Sequence, residues 1–410
     1  MRGRDPRRAP AVVFCSQNLP VPQDRRVWRE ASALASSGYR VTVLCPRGPG
    51  QRRYERLQDV RVVRYPAPPP LAGLAGQLVE TAWALAWLLP LAVWLRICGR
   101  LDVLHAANPP DTYYVIAWVL RPFGALFVYD QHDLCPELLT ARSQRAPRWL
   151  AWLLLRLEAA SYRRADLVIA PNNSYRSIAL GRGGQRSDDV VVVRSGPDVC
   201  RARPSAAHHR PLVVAFAGMM NEQDGIELLL DAAARVLVRR PGDLVLDLIG
   251  TGDDVPRLRR LAAERGLAEQ VRWAGWLDGS VLEERVAAAS VGVSIDGDDE
   301  FSRLSTMAKI PEYLGLGLPV VAADLLENRV TAGEAALYFR ARDIDALTGC
   351  LELLLDDPST LERLERAAAD RGPQLVWSHS AHRLVTAYAR LLGASRSVTG
   401  DQIVGASAAT

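Results

Sequence analysis

The sequence predicts an α/β protein made of two Rossmann-like halves in tandem. Short apolar runs alternate with amphipathic helical stretches, the alternation breaks once near residue 200, and it then restarts. In the first half, 11–14 and 41–44 read as buried strands around an amphipathic helix at 27–37, closed by Gly38. Further strands are expected at 60–63, 103–105, 126–129, 167–170 and 190–193, with helices between them. Residues 200–211 (CRARPSAAHHRP) lack periodicity and read as a linker. Beyond them, strands are expected at 213–216, 245–249, 271–273, 291–295 and 320–322. Helices are expected at 226–238, 255–265, 280–289, 306–316, 344–355, 359–370 and 380–392. The domain plan is therefore 1–200, a linker at 201–211, a second domain at 212–378, a terminal helix at 379–393 and a disordered tail at 394–410. Open parallel sheets bind ligands at the carboxyl ends of their strands. Two such halves facing each other would put a site in an interdomain cleft.

Composition narrows the class. A chain of 410 residues with 49% hydrophobic and 23% charged residues suits two globular domains. The net charge of +4 is too mild for a nucleic-acid footprint, but it fits an anionic small ligand or an acidic membrane surface. Part of the excess is N-terminal, in Arg2, Arg4, Arg7 and Arg8. The cysteines (15, 45, 98, 135, 200, 350) show no CxxC and no zinc spacing, so they read as reduced cytosolic thiols. The apolar run 11–15 is too short for a signal peptide.

One stretch, 81–97 (TAWALAWLLPLAVWLRI), is as long as the shortest bilayer spans and carries Pro90 and three tryptophans. A buried helix, an interfacial helix and a true span all remain open. A second stretch, 149–157, is flanked by Arg142, Arg145, Arg148, Arg156, Arg163 and Arg164. It suits anionic headgroups or an ordinary packed helix equally. A cytoplasmic protein, peripheral on the inner membrane face, accommodates both.

Lys309 is the functional signal. Lys and Arg together number 50, and removing this one lysine leaves 49 arginines. A lone Lys in an Arg-biased chain suggests a pocket needing a compact point charge rather than a planar fork. A helix from about Thr306 would aim free N–H groups at an anion, with Lys309 in its first turn. Glu312 lies one turn on, with its carboxylate on the same face of the helix. Gly317-Leu318-Pro319 ends the helix. Separately, His132 follows a buried strand, at the strand end where an α/β site lies.

The string Lys309-x-x-Glu312-Tyr313-(x)3-Gly317-x-Pro319-Val320-Val321-Ala322 resembles the nucleotide-sugar site of family-4 glycosyltransferases of the GT-B fold, the group 1 type of bacterial surface-polysaccharide assembly. Other segments extend the resemblance over nearly the whole chain. Pro22-x-Asp24-Arg25-Arg26-Val27-Trp28 resembles the family's opening. Tyr129-Asp130-Gln131-His132-Asp133-Leu134-x-Pro136-Glu137 resembles its His-Asp segment. Arg194-Ser195-Gly196-Pro197-Asp198 resembles the interdomain turn, where Asn is usual in place of Ser195. Gly218 with Gln223-Asp224-Gly225 resembles the first loop of the C-terminal domain, and Gly250-Thr251-Gly252 a strand-end loop near the nucleotide base.

The resemblance implies a retaining glycosyltransferase with a nucleoside-diphosphate sugar as co-substrate and no tightly bound cofactor. Lys309, Arg303 and the amides of Ser305, Thr306 and Met307 would neutralise the leaving diphosphate. Arg194, Gly218, Gly225, Gly250, Gly252 and Glu312 would complete the donor site. His132 would contact the donor sugar, with Asp133 orienting its ring. Asn18, Asp24, Arg25, Asp133 and Glu137 would line the acceptor side. The sequence also departs from the family. Leu304 stands where many members carry a first Glu, eight residues before Glu312. Met219 and Asp224 replace the usual cations of the Gly218 loop, and Ala308 replaces an Asn. Asp296-Gly297-Asp298 contains the Asp-x-Asp of the other large, metal-dependent glycosyltransferase fold, but that fold sits poorly with two tandem halves, and no metal is expected. The favoured acceptor is a lipid-linked glycan. The rivals are a natural-product acceptor, a sugar-nucleotide epimerase and a non-catalytic nucleotide-sugar binder.

Overall fold

A computed structural model describes residues 8–71, 73–142, 147–203, 205 and 209–393. The expected tail at 394–410 lies outside the described residues, as do Arg2, Arg4, Arg7 and Arg145. The chain divides into two units, Met1–Arg194 with Ser378–Thr410, and Ser195–Trp377.

The first unit runs β1 (Ala11–Cys15), α1 (Arg25–Ser36), β2 (Arg40–Pro46), β3 (Tyr54–Leu57), β4 (Val60–Tyr65), α2 (Gly73–Ile97), β5 (Val103–Ala107), α3 (Tyr114–Leu120), β6 (Leu126–Asp130), α4 (Cys135–Arg142), α5 (Arg148–Arg164), β7 (Leu167–Ala170), α6 (Asn173–Leu180) and β8 (Val190–Val192). Its sheet has the order β3-β4-β2-β1-β5-β6-β7-β8. Every pairing is parallel except β3 with β4. β1 is buried along its whole length, as an apolar run in a sheet covered on both faces should be. The chain moves from β1 toward β2 and β4, then returns to β5 and continues outward through β8. Right-handed crossovers therefore put α1 on one face and α2, α3 and α5 on the other. The packing of α2 on α3 and of α3 on α5 agrees. The direction reverses between β1 and β5, so the crevice expected to hold a ligand opens at their carboxyl ends.

The second unit runs β9 (Leu212–Ala217), α7 (Ile226–Arg239), β10 (Leu244–Ile249), α8 (Val255–Glu264), β11 (Val271–Gly275), α9 (Gly279–Ala287), β12 (Val291–Ser294), α10 (Glu300–Leu304), α11 (Lys309–Gly315), β13 (Val320–Ala323), α12 (Leu326–Ala332), β14 (Ala336–Phe339), α13 (Ile344–Asp356) and α14 (Pro358–Arg371). The sheet order is β11-β10-β9-β12-β13-β14, all parallel, and its direction reverses between β9 and β12. The last helix, α15 (Trp377–Leu391), returns to the first unit. There the Tyr388 hydroxyl lies 2.7 Å from Nδ1 of His105 on β5, and the Tyr388 ring meets Tyr39 edge-on.

Several expectations shift. The division falls after Arg194 rather than at 200, because the following residues bond into the second unit. Trp377 N–H donates to Pro197 O at 2.8 Å, and Arg201 N–H to Gly315 O at 2.8 Å. Arg203, expected in the linker, donates to Ala289 O at 2.6 Å. The apolar run at 81–97 is the greater part of α2, and its Ala84, Leu88, Ala92 and Leu95 lie in the core of the first unit. By length and composition this helix could cross a membrane, yet one side of it is packed inside the protein. The helix expected from Thr306 begins at Lys309, since 305–308 form the turn out of the short α10.

Glu158 on α5 is buried, with Arg182 Nε 2.8 Å away and Glu137 sharing the same guanidinium at 2.5 Å. Burial pushes the Glu158 carboxyl up to about 7, outweighing the pull of Arg182. A carboxyl raised in the folded state stabilises fully below its unfolded value and loses that contribution as pH rises through about 7. Chemical denaturation of wild type and Glu158→Gln at pH 5 and pH 8 should show the wild type losing more stability, by ~1–3 kcal/mol. Equal losses would remove this assignment.

Candidate functional site

Each unit gathers polar side chains at its own switch point. In the second unit the carboxyl ends of β9 and β12 flank Lys309, the first residue of α11. Its Nζ lies 4.9 Å from the Phe216 ring centroid on β9 and 3.4 Å from Asp296 Oδ1, just beyond β12. Asp296 also accepts from the Ser294 hydroxyl at 2.6 Å and from Asn328 Nδ2 at 3.2 Å. The lysine is partly buried on a fixed acidic and aromatic seat, at the position where a doubly wound sheet holds an anion. Glu312 lies one turn along α11 and is part-exposed.

The glycines near this point are required by close backbone approach. A Cβ on Gly250 would come within 1.9 Å of Gly218 O, and one on Gly225, where φ is +73°, within 2.6 Å of Ile295 O. Gly252 faces Met220 O in the same way, at 2.2 Å. Met220 N–H donates to Thr251 O at 2.9 Å, so the loops after β9 and β10 are joined. These contacts bring the loops after β9, β10 and β12 together.

The other expected donor residues are less concentrated. Arg303 is exposed and ion-pairs with Asp298 at 2.7 Å. The Ser305 amide already donates to Phe301 O at 3.0 Å, closing α10. Thr306 donates to buried Glu327 at 3.2 Å, and Met307 packs against the α11 core cluster. Arg194 ends the first unit, where its amide donates to Ser380 Oγ at 3.1 Å. The Asp-x-Asp carboxylates are both engaged, Asp296 with Lys309 and Asp298 with Arg303, and the adjacent Asp299 caps α10 by accepting from Ser302 N–H at 2.9 Å.

In the first unit His132 follows β6, and its Nε2 lies 2.5 Å from Asp130 Oδ2. Its holder is therefore Asp130, two residues earlier on the strand, rather than the neighbouring Asp133. Asp130 is fully buried, with Arg26 Nη2 at 3.0 Å and His105 Nε2 at 3.4 Å. Glu30 joins the group through Arg26 at 3.1 Å and His105 at 3.2 Å. Burial opposes ionisation of Asp130, but Arg26 and His132 outweigh it and hold the carboxyl well below its usual range. Glu30 goes the other way, pushed up by burial and then by Asp130. Burial alone would lower His132; the Asp130 charge overcomes it and raises the ring. His105 is raised too, its burial outweighed by hydrogen bonding to Asp130 and Glu30. Ligand atoms of Glu30, His105 and Asp130 lie within 4.8 Å of one another, as a metal would need. Arg26 already ion-pairs with both carboxylates, so the set fits a further cation poorly.

Asn108, after β5, sets the loop that carries His132. Its Oδ1 accepts from the His132 and Asp133 amides at 2.6 and 3.1 Å, and its Nδ2 donates to Asp111 at 2.8 Å. Among the expected acceptor residues, Asn18 and Arg25 are exposed. Asp24 caps α1 by accepting from Val27 N–H at 3.2 Å. Glu137 is buried on Arg182 and is unavailable to an acceptor. Arg26, Glu30, His105, Asn108, Asp130 and Asp296 were not singled out from the sequence as site residues. The pair Asp130-x-His132, closing a buried strand, was the one local signal that could have found part of the group.

Comparison with known proteins matches this architecture. Residues 23–196 match the glycosyl transferase 4-like domain, and residues 211–357 the glycosyl transferases group 1 domain. A D-inositol 3-phosphate glycosyltransferase of Stackebrandtia nassauensis is 32% identical over 315 residues, covering 69% of this chain and 70% of that protein. Among solved structures, sucrose-phosphate synthase from Thermosynechococcus elongatus superposes with a TM-score of 0.75 at 20% identity, over 95% of this chain and 100% of that one. HepE of Anabaena, in complex with UDP-glucose, gives 0.69 at 17% identity, over 93% and 99%. The chain belongs to the family-4, group 1 glycosyltransferases and is a transferase of the GT-B fold.

Proposed function

We propose that this enzyme is a retaining glycosyltransferase. It moves a sugar from a nucleoside-diphosphate sugar to a hydroxyl of a lipid-linked glycan in polysaccharide assembly, working in the cytoplasm at the inner membrane face. The observation that carries the donor half is Lys309, seated on Asp296 and Phe216 at the β9/β12 crevice. The UDP-glucose complex of HepE supports a nucleotide-sugar donor. In this reading Lys309 faces the diphosphate and Glu312 accepts from the ribose hydroxyls. The bond from the sugar's anomeric carbon to the phosphate oxygen breaks as a bond to the acceptor oxygen forms on the same face. The acceptor's proton passes to the departing phosphate oxygen, and Lys309 stabilises the charge that develops there. His132, whose ring Asp130 pushes toward the protonated form, donates a hydrogen bond to the donor sugar. The apolar α2 supports an acceptor presented on lipid. One observation favours a second reading: Leu304, in place of the family's first Glu, suits a nucleotide-sugar binder without turnover.

A thermal-shift screen of nucleoside-diphosphate sugars, followed by assay of nucleoside-diphosphate release with lipid-linked and soluble acceptors, tests the reading. Stabilisation without release under any acceptor would favour the binder. Release with no acceptor would point to hydrolysis, and conversion of the donor sugar alone to an epimerase. Lys309→Ala should lower kcat at least ~100-fold, in line with loss of an oxyanion-stabilising donor. Lys309→Arg should also fall steeply, since a planar fork replaces a point charge; a wild-type rate for it would remove Lys309 from the diphosphate site. Activity should decline as pH rises through the raised value of His132, and Asp130→Asn should move that limb to lower pH. Full pH–rate profiles, with thermal unfolding to confirm that the variant folds, would show it; an unmoved limb would detach His132 from the reaction.

A further inference from the structure

We propose that the outer surface of the α2–α3–α5 layer docks on a bilayer bearing anionic headgroups, which rests on the lipid-linked reading for its purpose but not for its geometry. α2 is apolar on two opposite sides. Ala84, Leu88, Ala92 and Leu95 are packed in the core, while Leu78, Ala82, Ala86, Pro90, Trp94 and Ile97 are exposed. The exposed set recurs every three or four residues, giving a charge-free stripe about 30 Å long. A helix that is hydrophobic all round is normally buried all round or in contact with lipid. Here only the core side is covered.

The stripe continues onto its neighbours. Trp118 and Phe123 are each 60% exposed at α3 and the turn after it, and Trp149 and Trp152 are 63% and 57% exposed on α5. Four of the five tryptophans exposed among the described residues, 94, 118, 149 and 152, thus lie on one layer, with Trp276 the exception. The helix ends are joined, Arg96 Nε donating to Phe123 O at 3.1 Å and Arg121 Nη1 to Arg164 O at 3.3 Å. Exposed Arg121, Arg148, Arg156, Arg163 and Arg164 give this layer positive charge. Asp166 offsets Arg121 at 3.5 Å, but Glu158, the only acid on α5, is buried against Arg182. The Arg156 guanidinium stacks 5.0 Å from the Trp152 ring, with an apolar body and a charged tip on one spot. Tryptophan beside arginine is the chemistry of the headgroup boundary. A second copy is a poorer occupant, because a two-fold contact would bring the same arginines face to face.

Co-sedimentation of the full chain with vesicles of phosphatidylcholine alone, or with a quarter phosphatidylglycerol, tests this. Binding should favour the anionic vesicles and weaken with salt. Arg148→Gln/Arg156→Gln should reduce binding to anionic vesicles by about fivefold for each arginine, with little effect on phosphatidylcholine. Trp149→Ser/Trp152→Ser should weaken binding to both vesicles, while Trp276→Ser should change neither. Circular dichroism and turnover of a soluble acceptor analogue would show that each variant is folded. Equal binding by all variants, no binding to either vesicle, or a concentration-dependent dimer abolished by the tryptophan changes would each overturn the proposal. Donor turnover is read separately, so vesicle binding without turnover leaves this surface standing while the transferase reading fails.

Discussion

Asp130 is a carboxylate with no exposed surface, and the first unit is organised around keeping it charged. Moving an ion out of water costs several kcal/mol unless partners replace the lost solvent. Those partners come from distant parts of the chain: Arg26 from α1, His105 from β5 and His132 from the loop after β6. Each also needs its own place. Arg26 donates onward to Val193 O at 2.9 Å, and His105 is stacked on Phe14 of β1 at 4.0 Å between ring centroids. Removing one partner would leave the buried charge less fully compensated, which is more damaging than losing a surface pair. Glu30 relieves the crowding by accepting the weaker claim to ionisation, so two carboxylates can share one arginine.

The second unit handles its single lysine by the same principle on a smaller scale. Asp296 is buried and anchored by Ser294 and Asn328, so it cannot swing away from Lys309. An aromatic face below and a carboxylate beside hold the ammonium in place, an arrangement that would lower the ordering cost of binding an anion. Both anchors of Asp296 come from elements next to the β12 end, and the joined loops of β9 and β10 close the crevice beside them.

The fold was legible because both sheets are parallel, apart from the β3–β4 edge, and covered on both faces, so their inner strands appear as short apolar runs such as 11–15 and 167–170. Two of the misses were elements whose burial pattern is weak. β3, Tyr-Glu-Arg-Leu, is an edge strand with alternating exposure and reads as a loop. α10 is five residues long, too short for a periodic signal. Lys309 stands out in the sequence because its signal is chemical rarity combined with local spacing. The Asp130 group does not, because it depends on residues brought together by the sheet: Arg26 and Asp130 are 104 positions apart. Glu137 and Asp24 mislead for the opposite reason. Their positions in the string suggest a ligand, but one is a buried ion-pair partner and the other a helix cap.

The return of α15 to the first unit has a consequence for how the protein is made. Tyr388 lies 283 positions after the His105 ring that it bonds. At translation rates of roughly 5–20 residues per second, that histidine waits on the order of 15 to 60 s for its partner. Meanwhile the whole of the second unit leaves the ribosome with its sheet and core complete. The half that begins first is therefore the half that finishes last, and its core stays open to chaperones, to water and to neighbouring chains until the final helix is released.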